Sequence, residues 1–382
     1  MVRILHLADL HLGASPTFLG QLAQERRKDY LDAFQRAIDY ATDPKNAIDV
    51  VLIVGDLFDM ARPSADIVEF ARRQLARLQQ VGIPVIVAPG NHDGIGMPES
   101  AYGNPTLSGL MRIVRSPRVE PFETLMVNGE EVHIYGMAWD IQSKGPFDTF
   151  TKSERGGYHV ALIHGTLLGS LFSEGHSREV PLDLEQLGKT GMDYIALGHI
   201  HKFQQKEIGR TVVVYPGTLE ARRFTPGEEG DRFLVVVTFE KKKTPKVTAL
   251  KWNKKNLLSA RLDLDQEAVE SDEDLARLIS KRYGSTNAVL KLVLAGSPPF
   301  VVSEETLQNR LQGDFFWLEM DDQTTIFDSV LMESWAREET IRGLYARKLR
   351  ARLEVAADSE EKQQLELALK LATQAFQKTG QR

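Results

Sequence analysis

Gly90-Asn91-His92-Asp93, taken with Gly55-Asp56-Leu57-Phe58-Asp59, decides how this chain is expected to fold. Each stretch stands directly behind an apolar run of strand character, Val50–Val54 before the earlier and Pro84–Ala88 before the later. Asp56, Asn91 and His92 therefore leave a sheet at strand ends, where α/β proteins gather their chemistry. A carboxylate, an amide oxygen and an imidazole in such places point to a metal centre that handles phosphate.

Working outward, Val2–Ala8 reads as a strand running into the loop Asp9-Leu10-His11-Leu12-Gly13. Arg26–Tyr40 has the spacing of a helix with one buried face, and Ala47–Val54 is a second strand. Ser64–Gln80 is a second amphipathic helix, capped by Ser64 and stopped near Gly82. With Pro84–Ala88 this gives a β-α-β-α-β rhythm, hence a parallel sheet with right-handed crossovers. Further strands are expected at Glu131–Met137, His159–Ile163, Asp193–Leu197, Thr211–Tyr215, Arg232–Phe239 and Lys246–Trp252. A pair of mixed sheets sandwiched by helices follows.

From about Leu257 the pattern changes to a compact α/β unit: strand Leu258–Leu264, helix Ser271–Tyr283 with Ser271 as N-cap, strand Asn287–Leu294, helix Ser303–Leu311 and strand Phe315–Met320. The tail reads as a helix over Glu333–Val355, with Ile341, Leu344, Tyr345, Leu349 and Leu353 along one stripe. A turn at Ala356–Asp358 follows, and Asp358 with Glu361 forms a capping box for a second helix carrying Leu365, Leu369, Ala372 and Phe376. The reading is thus three domains: 1–255, 256–322 and 323–382.

The 382 residues suffice for two or three domains with a real core. There is no cysteine, so disulfides and thiolate metal sites are excluded. A metal must then be held by oxygen and imidazole, which suits Mn²⁺, Mg²⁺, Fe²⁺ or Zn²⁺. No apolar run approaches the ~20 residues of a membrane span, and the N-terminus enters a strand at once, without a signal-peptide cleavage region. A cytoplasmic protein is expected. A net charge of −6 does not advertise a nucleic-acid binder, although basic clusters or bound cations can reverse the field in one groove.

Five of the nine histidines fall in strand-end motifs. Asp9 and His11 lie two apart on a segment read as extended, so both side chains can point to one side. His199 and His201 in Gly198-His199-Ile200-His201 repeat that geometry, and His164 follows the strand before it. Asp9, His11, Asp56, Asn91, His164, His199 and His201 are too many ligands for one ion that must keep an open position. They suit two ions about 3.5–4 Å apart sharing a carboxylate, with Asp56 the candidate bridge.

Together, Asp-x-His, Gly-Asp-x-x-Asp, Gly-Asn-His-Asp, the lone His164 and Gly-His-x-His resemble the five-part signature of calcineurin-like metallophosphoesterases. The wording Ile4-Leu5-His6-Leu7-Ala8-Asp9-Leu10-His11-Leu12-Gly13, with Gly55-Asp56-Leu57-Phe58-Asp59, more closely resembles one branch, the SbcD-type DNA repair exonucleases. Similarity continues more weakly through Tyr215-Pro216-Gly217-Thr218, and beyond about residue 255 only the layout matches. The resemblance implies a four-layer α/β/β/α sandwich, a small α/β capping domain that binds DNA and a C-terminal helical hairpin. It also implies one ion on Asp9, His11, Asp56 and His201, and the other on Asp56, Asn91, His164 and His199. His92 would face the scissile phosphate and either protonate the leaving oxygen, a step worth typically ~10²–10⁴-fold, or stabilise its charge, and Asp59 would orient it. The implied activity is a Mn²⁺-dependent DNA exonuclease or endonuclease in double-strand break repair, associated with the nucleoid. Its implied partners are DNA, an SbcC-type coiled-coil ATPase docked on the terminal helices, and a second copy of the chain.

Blander readings stand beside these. A lone Asp or His at a strand end is usually a cap or a satisfied polar group; the set of motifs reverses that. His6, His133, His159 and His176 are assigned to the core or surface, and Asp93 to fixing its loop. Gly90 and Gly198 are read as tight-turn residues. Lys202, Arg222, Arg223, Lys254 and Lys255 are either DNA contacts or solvated charges, and the tail's stripe is either packing or an ATPase dock. Two rival functions remain: a phosphatase or small-molecule phosphodiesterase, and a weakly active DNA-end binding subunit.

Overall fold

The run Val2–Leu7 forms a strand that, in a computed structural model of the chain, pairs in parallel with Val50–Val54, which pairs in parallel with Val85–Ala88. The structure describes residues 1–97, 99–140, 150–169, 180–225, 227–324 and 329–356, with 361, 364, 365, 368, 369, 372 and 376. They fall into two units, Met1–Asn256 and Leu257–Arg382. Helices α1 (Ala23–Thr42) and α2 (Ala65–Gln80) make the crossovers of the first unit. Ser64 occupies the N-cap position of α2 but makes no capping bond. Its hydroxyl instead bonds the Asp66 carboxylate and holds that acid below its usual range.

The first sheet runs Lys246–Lys251, Phe233–Phe239, Val2–Leu7, Val50–Val54, Val85–Ala88, Arg112–Ile113 from edge to edge. The second runs Gln204–Ile208, Thr211–Tyr215, Tyr194–Gly198, Tyr158–His164, Glu130–Gly136, Glu120–Val127. Its four inner strands are parallel and its two outer strands antiparallel to their neighbours. Those two edge strands are absent from the sequence reading. Gln204-Gln205-Lys206-Glu207 is polar and largely exposed, a composition that protects an edge and erases the apolar alternation that would announce it.

Because strand side chains alternate faces, each sheet has two apolar surfaces. Ile4, Leu52, Val54 and Ile86 meet Val160, Leu162, Ala196 and Val214 between the sheets. On the other side Leu5, Leu7, Val51 and Ile53 pack against Phe34 and Ile38 of α1 and Leu75 and Leu78 of α2. The outer face of the second sheet, with Ile163, Ile195, Leu197 and Val213, lies under Trp139, Phe150, Leu182 and Leu187. Each such aliphatic side chain contributes roughly 1.5–3 kcal/mol when fully buried. The four-layer α/β/β/α arrangement results, and among the described residues its last layer holds the six-residue helix Leu184–Lys189.

In the second unit, Asn256–Asp263, Ser285–Ala295 and Phe315–Asp322 form a three-stranded sheet. Leu275 and Ile279 of the helix Asp272–Tyr283 and Leu307 of Glu304–Arg310 share its core with Leu290 and Leu292. Ser271 and Ser303 cap these helices, accepting the N–H groups of Asp274 and Thr306 at 3.2 Å each. The single helix expected over Glu333–Val355 is instead two, Ser329–Ala336 and Ile341–Val355. Thr340 starts the second by accepting the Gly343 N–H at 3.1 Å.

The tail's apolar stripe divides. Leu349 is buried with Trp335, Leu365 and Leu369, and the Tyr345 hydroxyl donates to the Ala368 carbonyl. Ile341 and Leu344, by contrast, are 81% and 49% exposed. The capping box expected at Asp358 and Glu361, and His176, involve positions outside the described residues. Among the described residues no helix is long and apolar enough to cross a membrane.

Candidate metal centre

All five motifs leave their strands at one end of the sandwich. Asp9 and His11 follow Val2–Leu7, Asp56 follows Val50–Val54, and Asn91 and His92 follow Val85–Ala88. From the other sheet, His164 closes its strand, and His199 and His201 follow Tyr194–Gly198. The extended backbone expected at the two x-His pairs is not what aims them. Asp9 (φ 52°), His11 (43°), Asp56 (50°) and His199 (100°) are left-handed, a conformation that costs non-glycine residues on the order of 1–3 kcal/mol each. Main-chain bonds between the first two loops hold it: Asp9 N–H to Gly55 O (3.1 Å), His11 N–H to Asp56 O (2.8 Å) and Leu12 N–H to Leu57 O (2.9 Å).

The two glycines read as turn residues have another purpose. A Cβ on Gly90 would stand 2.2 Å from Asp56 Oδ1, and one on Gly198 would stand 1.8 Å from the Val54 carbonyl oxygen. Gly90 lets two loops of the first sheet approach, and Gly198 lets the second sheet approach the first.

Around this point the donor atoms converge. Ligand atoms of Asp9, His11 and His201 lie within 4.8 Å of one another, as do those of Asp9, Asp56 and His164, and those of His11, Asp56 and His92. Asn91 Oδ1 is 2.8 Å from His164 Nε2 and 3.1 Å from His199 Nδ1. The His199 N–H donates to the Asp9 carboxylate at 3.0 Å. Burial pushes the Asp9 carboxyl well up, with neighbouring Asp56 adding to it. Asp56 resists the same burial because His164, His92 and the His92 N–H favour its charge, and it lies below the usual range. Burial pushes the His11 and His164 imidazoles down, toward the neutral form that has a lone pair to offer.

This donor set fits divalent cations. His164 Nδ1 faces the Val54 carbonyl at 3.2 Å, which leaves the Nε2 lone pair against the Asn91 oxygen. His201 Nδ1 donates to Glu228 Oε1 at 2.7 Å, which leaves its Nε2 lone pair facing His11 Nε2 at 3.2 Å. The His164 lone pair packed on an acceptor oxygen is repelled, and a cation between them removes the repulsion. Oxygen and imidazole donors without thiolate are the set that Mn²⁺, Mg²⁺, Fe²⁺ and Zn²⁺ accept.

His92 Nδ1 donates to the main-chain oxygen of Asp59 at 2.9 Å, and the ring crosses that of His11 edge to face at 4.7 Å. The Asp59 carboxylate is engaged elsewhere, accepting from Arg222 Nη1 at 2.8 Å and lying 3.2 Å from His11 Nδ1. That second contact is too bent for a hydrogen bond, since His11 Nδ1 has no hydrogen-bond partner. Orientation of His92 therefore comes from the Asp59 backbone.

Glu228 is the functional residue that the motifs did not disclose. It is 2% exposed, and its Oε2 accepts the Arg222 N–H at 2.5 Å while Oε1 fixes His201. Against burial, His201 and Arg222 hold its carboxyl far below the ordinary range. Asp93 accepts from Gly90 N–H (2.9 Å), Phe58 N–H (3.2 Å) and the Tyr102 hydroxyl (2.7 Å), and so ties the two motif loops together. His6 bonds the Tyr194 hydroxyl in the core, and His133 stacks on His159. Of the basic residues, Arg222 is buried on Asp59, Lys255 is buried 3.2 Å from Asp29, and Lys254 lies 3.0 Å from Asp32. These three sit in ion pairs rather than as free cations. Lys202 and Arg223 remain exposed.

Residues 2–203 match the family described as calcineurin-like phosphoesterase. The chain is 32% identical over 250 residues to the uncharacterized metallophosphoesterase YhaO of Bacillus subtilis, covering 61% of this chain and 57% of that protein. It is 30% identical over 238 residues to the DNA double-strand break repair protein Mre11 of Saccharolobus solfataricus, covering 61% of this chain and 58% of that one. The chain thus spans less than two thirds of the length of these curated relatives. Among solved structures, Vps29 from Entamoeba histolytica is 15% identical with a TM-score of 0.29, covering 66% of this chain and 100% of that one.

Proposed function

The chain belongs to the calcineurin-like phosphoesterase family, and on that premise we propose that it is a divalent-metal-dependent DNA nuclease acting in double-strand break repair. One observation carries the hydrolytic part: seven oxygen and imidazole donors converge with His92 beside them. Similarity to several proteins named DNA double-strand break repair protein Mre11 supports DNA as the substrate.

Asp9, His11, Asp56 and His201 would hold one ion, and Asp56, Asn91, His164 and His199 the other. Such ions supply neutralisation of the phosphate and activation of water for in-line attack. The chain's own groups do the rest. His201 is oriented by Glu228 and His164 by the Val54 carbonyl, so each presents Nε2 inward. His92, with Nδ1 tied to the Asp59 oxygen, presents Nε2 to the leaving oxygen and gives it a proton. Mn²⁺ is the proposed metal, exonuclease or endonuclease cleavage the proposed outcome, and the nucleoid of the cytoplasm the proposed place of action. Residues 256–322 would cap the bound DNA, and 323–382 would dock a coiled-coil ATPase of the SbcC type, with the chain working as a homodimer.

With Mn²⁺, the purified chain is expected to degrade linear DNA, and His92→Ala to abolish turnover while metal analysis finds the same cation content. Full activity in that variant would remove His92 from the chemistry. A second reading, hydrolysis of a small phosphodiester, draws on the ion pairing of Lys254 and Lys255, which withdraws two cations from any DNA path. Cleavage of bis(p-nitrophenyl) phosphate or a cyclic nucleotide but not of DNA would favour it.

A further inference from the structure

Next to the metal centre lies a hollow of about 220 Å³, bounded by the Ala14–Phe18 loop, Tyr30 of α1, Asp59 and the pair Arg222-Arg223. Two buried donors there are unsatisfied. The Tyr30 hydroxyl and Arg222 Nε make no hydrogen bond to a described residue, although each residue is only 6% exposed. A buried donor without an acceptor is costly, and it is tolerated where a ligand completes it. Arg222 Nε calls for an acceptor, since a guanidinium N–H can only donate, and the Tyr30 hydroxyl can donate to the same group.

The charge balance of the lining points the same way. Asp59 is its one carboxylate, and Arg222 Nη1 already holds that group at 2.8 Å. Arg223 is exposed beside it, with its main-chain N–H fixed on Glu228 at 3.3 Å. Ser15 and Thr17 add hydroxyls from the facing loop. One neutralised acid among two guanidinium groups and three hydroxyls suits an anion. Asp59 also gives its main-chain oxygen to His92, so the hollow adjoins the imidazole assigned to the leaving oxygen.

We propose that this hollow is a subsite for a second phosphate, the one on the nucleotide neighbouring the bond that is cut. The identity of that nucleotide rests on the nuclease reading; the anion chemistry of the lining does not. Its volume lies below the ~300–1,000 Å³ of pockets for drug-sized ligands, which leaves room for one phosphate and part of its sugar. Phe18, edge-on to Phe224 at 5.4 Å, offers an aromatic wall beside it.

The test uses the full chain with Mn²⁺ and calorimetric titration of thymidine 3′,5′-bisphosphate against the 3′- and 5′-monophosphates. The bisphosphate is expected to bind about tenfold tighter or more, the scale of a charge-assisted hydrogen bond. Tyr30→Phe combined with Arg223→Gln should bring that ratio close to one and leave the monophosphates unchanged. Equal binding of all three by the parent, or a full preference kept by the double variant, overturns the subsite. If the parent shows the preference but never cuts DNA, the nuclease reading falls and the subsite stands. If it cuts DNA and shows no preference, the subsite falls alone.

Discussion

Glu228 sits in a loop well past the last motif, and nothing local in Thr225–Gly230 marks it as part of a metal centre. Its role is visible only through the 2.7 Å contact that fixes which nitrogen of His201 faces inward. Removing such a partner usually lowers metal affinity ~10–100-fold. Glu228→Gln, which keeps the shape and loses the charge, is expected at the lower end of that range, read by calorimetric titration of Mn²⁺ into metal-free protein. Unchanged affinity would mean that packing alone orients the ring. The motif residues themselves were legible because chemistry and strand ends coincide in the sequence. The partner residues were not, since an Asp59 carbonyl or an Arg222–Asp59 pair depends on contacts between distant segments.

The fully buried strands announced themselves, and the edge strands of the second sheet did not. Val50–Val54 is apolar throughout and buried throughout, as expected of a strand covered on both faces. The edge strand Gln204–Ile208 pairs with one neighbour and carries the polar sequence of a loop. The expected helix over Glu333–Val355 failed for a related reason. Arg337-Glu338-Glu339-Thr340 holds no proline or glycine to mark a break, while Thr340 starts a fresh helix by capping Gly343. A Cβ on Gly343 would come within 2.0 Å of the Glu338 carbonyl oxygen, so that corner is closed to larger residues. Loss of an N-cap costs ~1 kcal/mol, about a fivefold change in a local opening equilibrium. Thr340→Ala should therefore speed amide exchange about fivefold within Ile341–Val355. No change there would assign the break to Gly343 alone.

For the whole molecule, acidity is a more telling coordinate than net charge. Burial drives the His6 imidazole down from 6.5 to about 3. Between those values the unfolded chain binds a proton that the fold refuses, so stability rises with pH across that window. Asp93 acts in the opposite sense, because burial raises it from 3.8 to about 6 and the fold retains a proton there that the unfolded chain has lost. Comparing His6→Gln with the parent cancels that opposing effect. The variant should lose about 2 kcal/mol less stability than the parent between pH 7 and pH 5, by urea denaturation. Parallel losses in both would exclude His6 as the source. One further consequence follows from where the ligands come from: Asp9, His11, Asp56 and Asn91 belong to one sheet, while His164, His199 and His201 belong to the other. Cations seated among them would rivet two β-layers already joined by greasy contact and a few hydrogen bonds such as His6 to Tyr194. Chelation with EDTA should then lower the melting temperature as well as halt hydrolysis, in line with the ~2.7 kcal/mol that a hundredfold excess of ligand over its Kd confers on a fold.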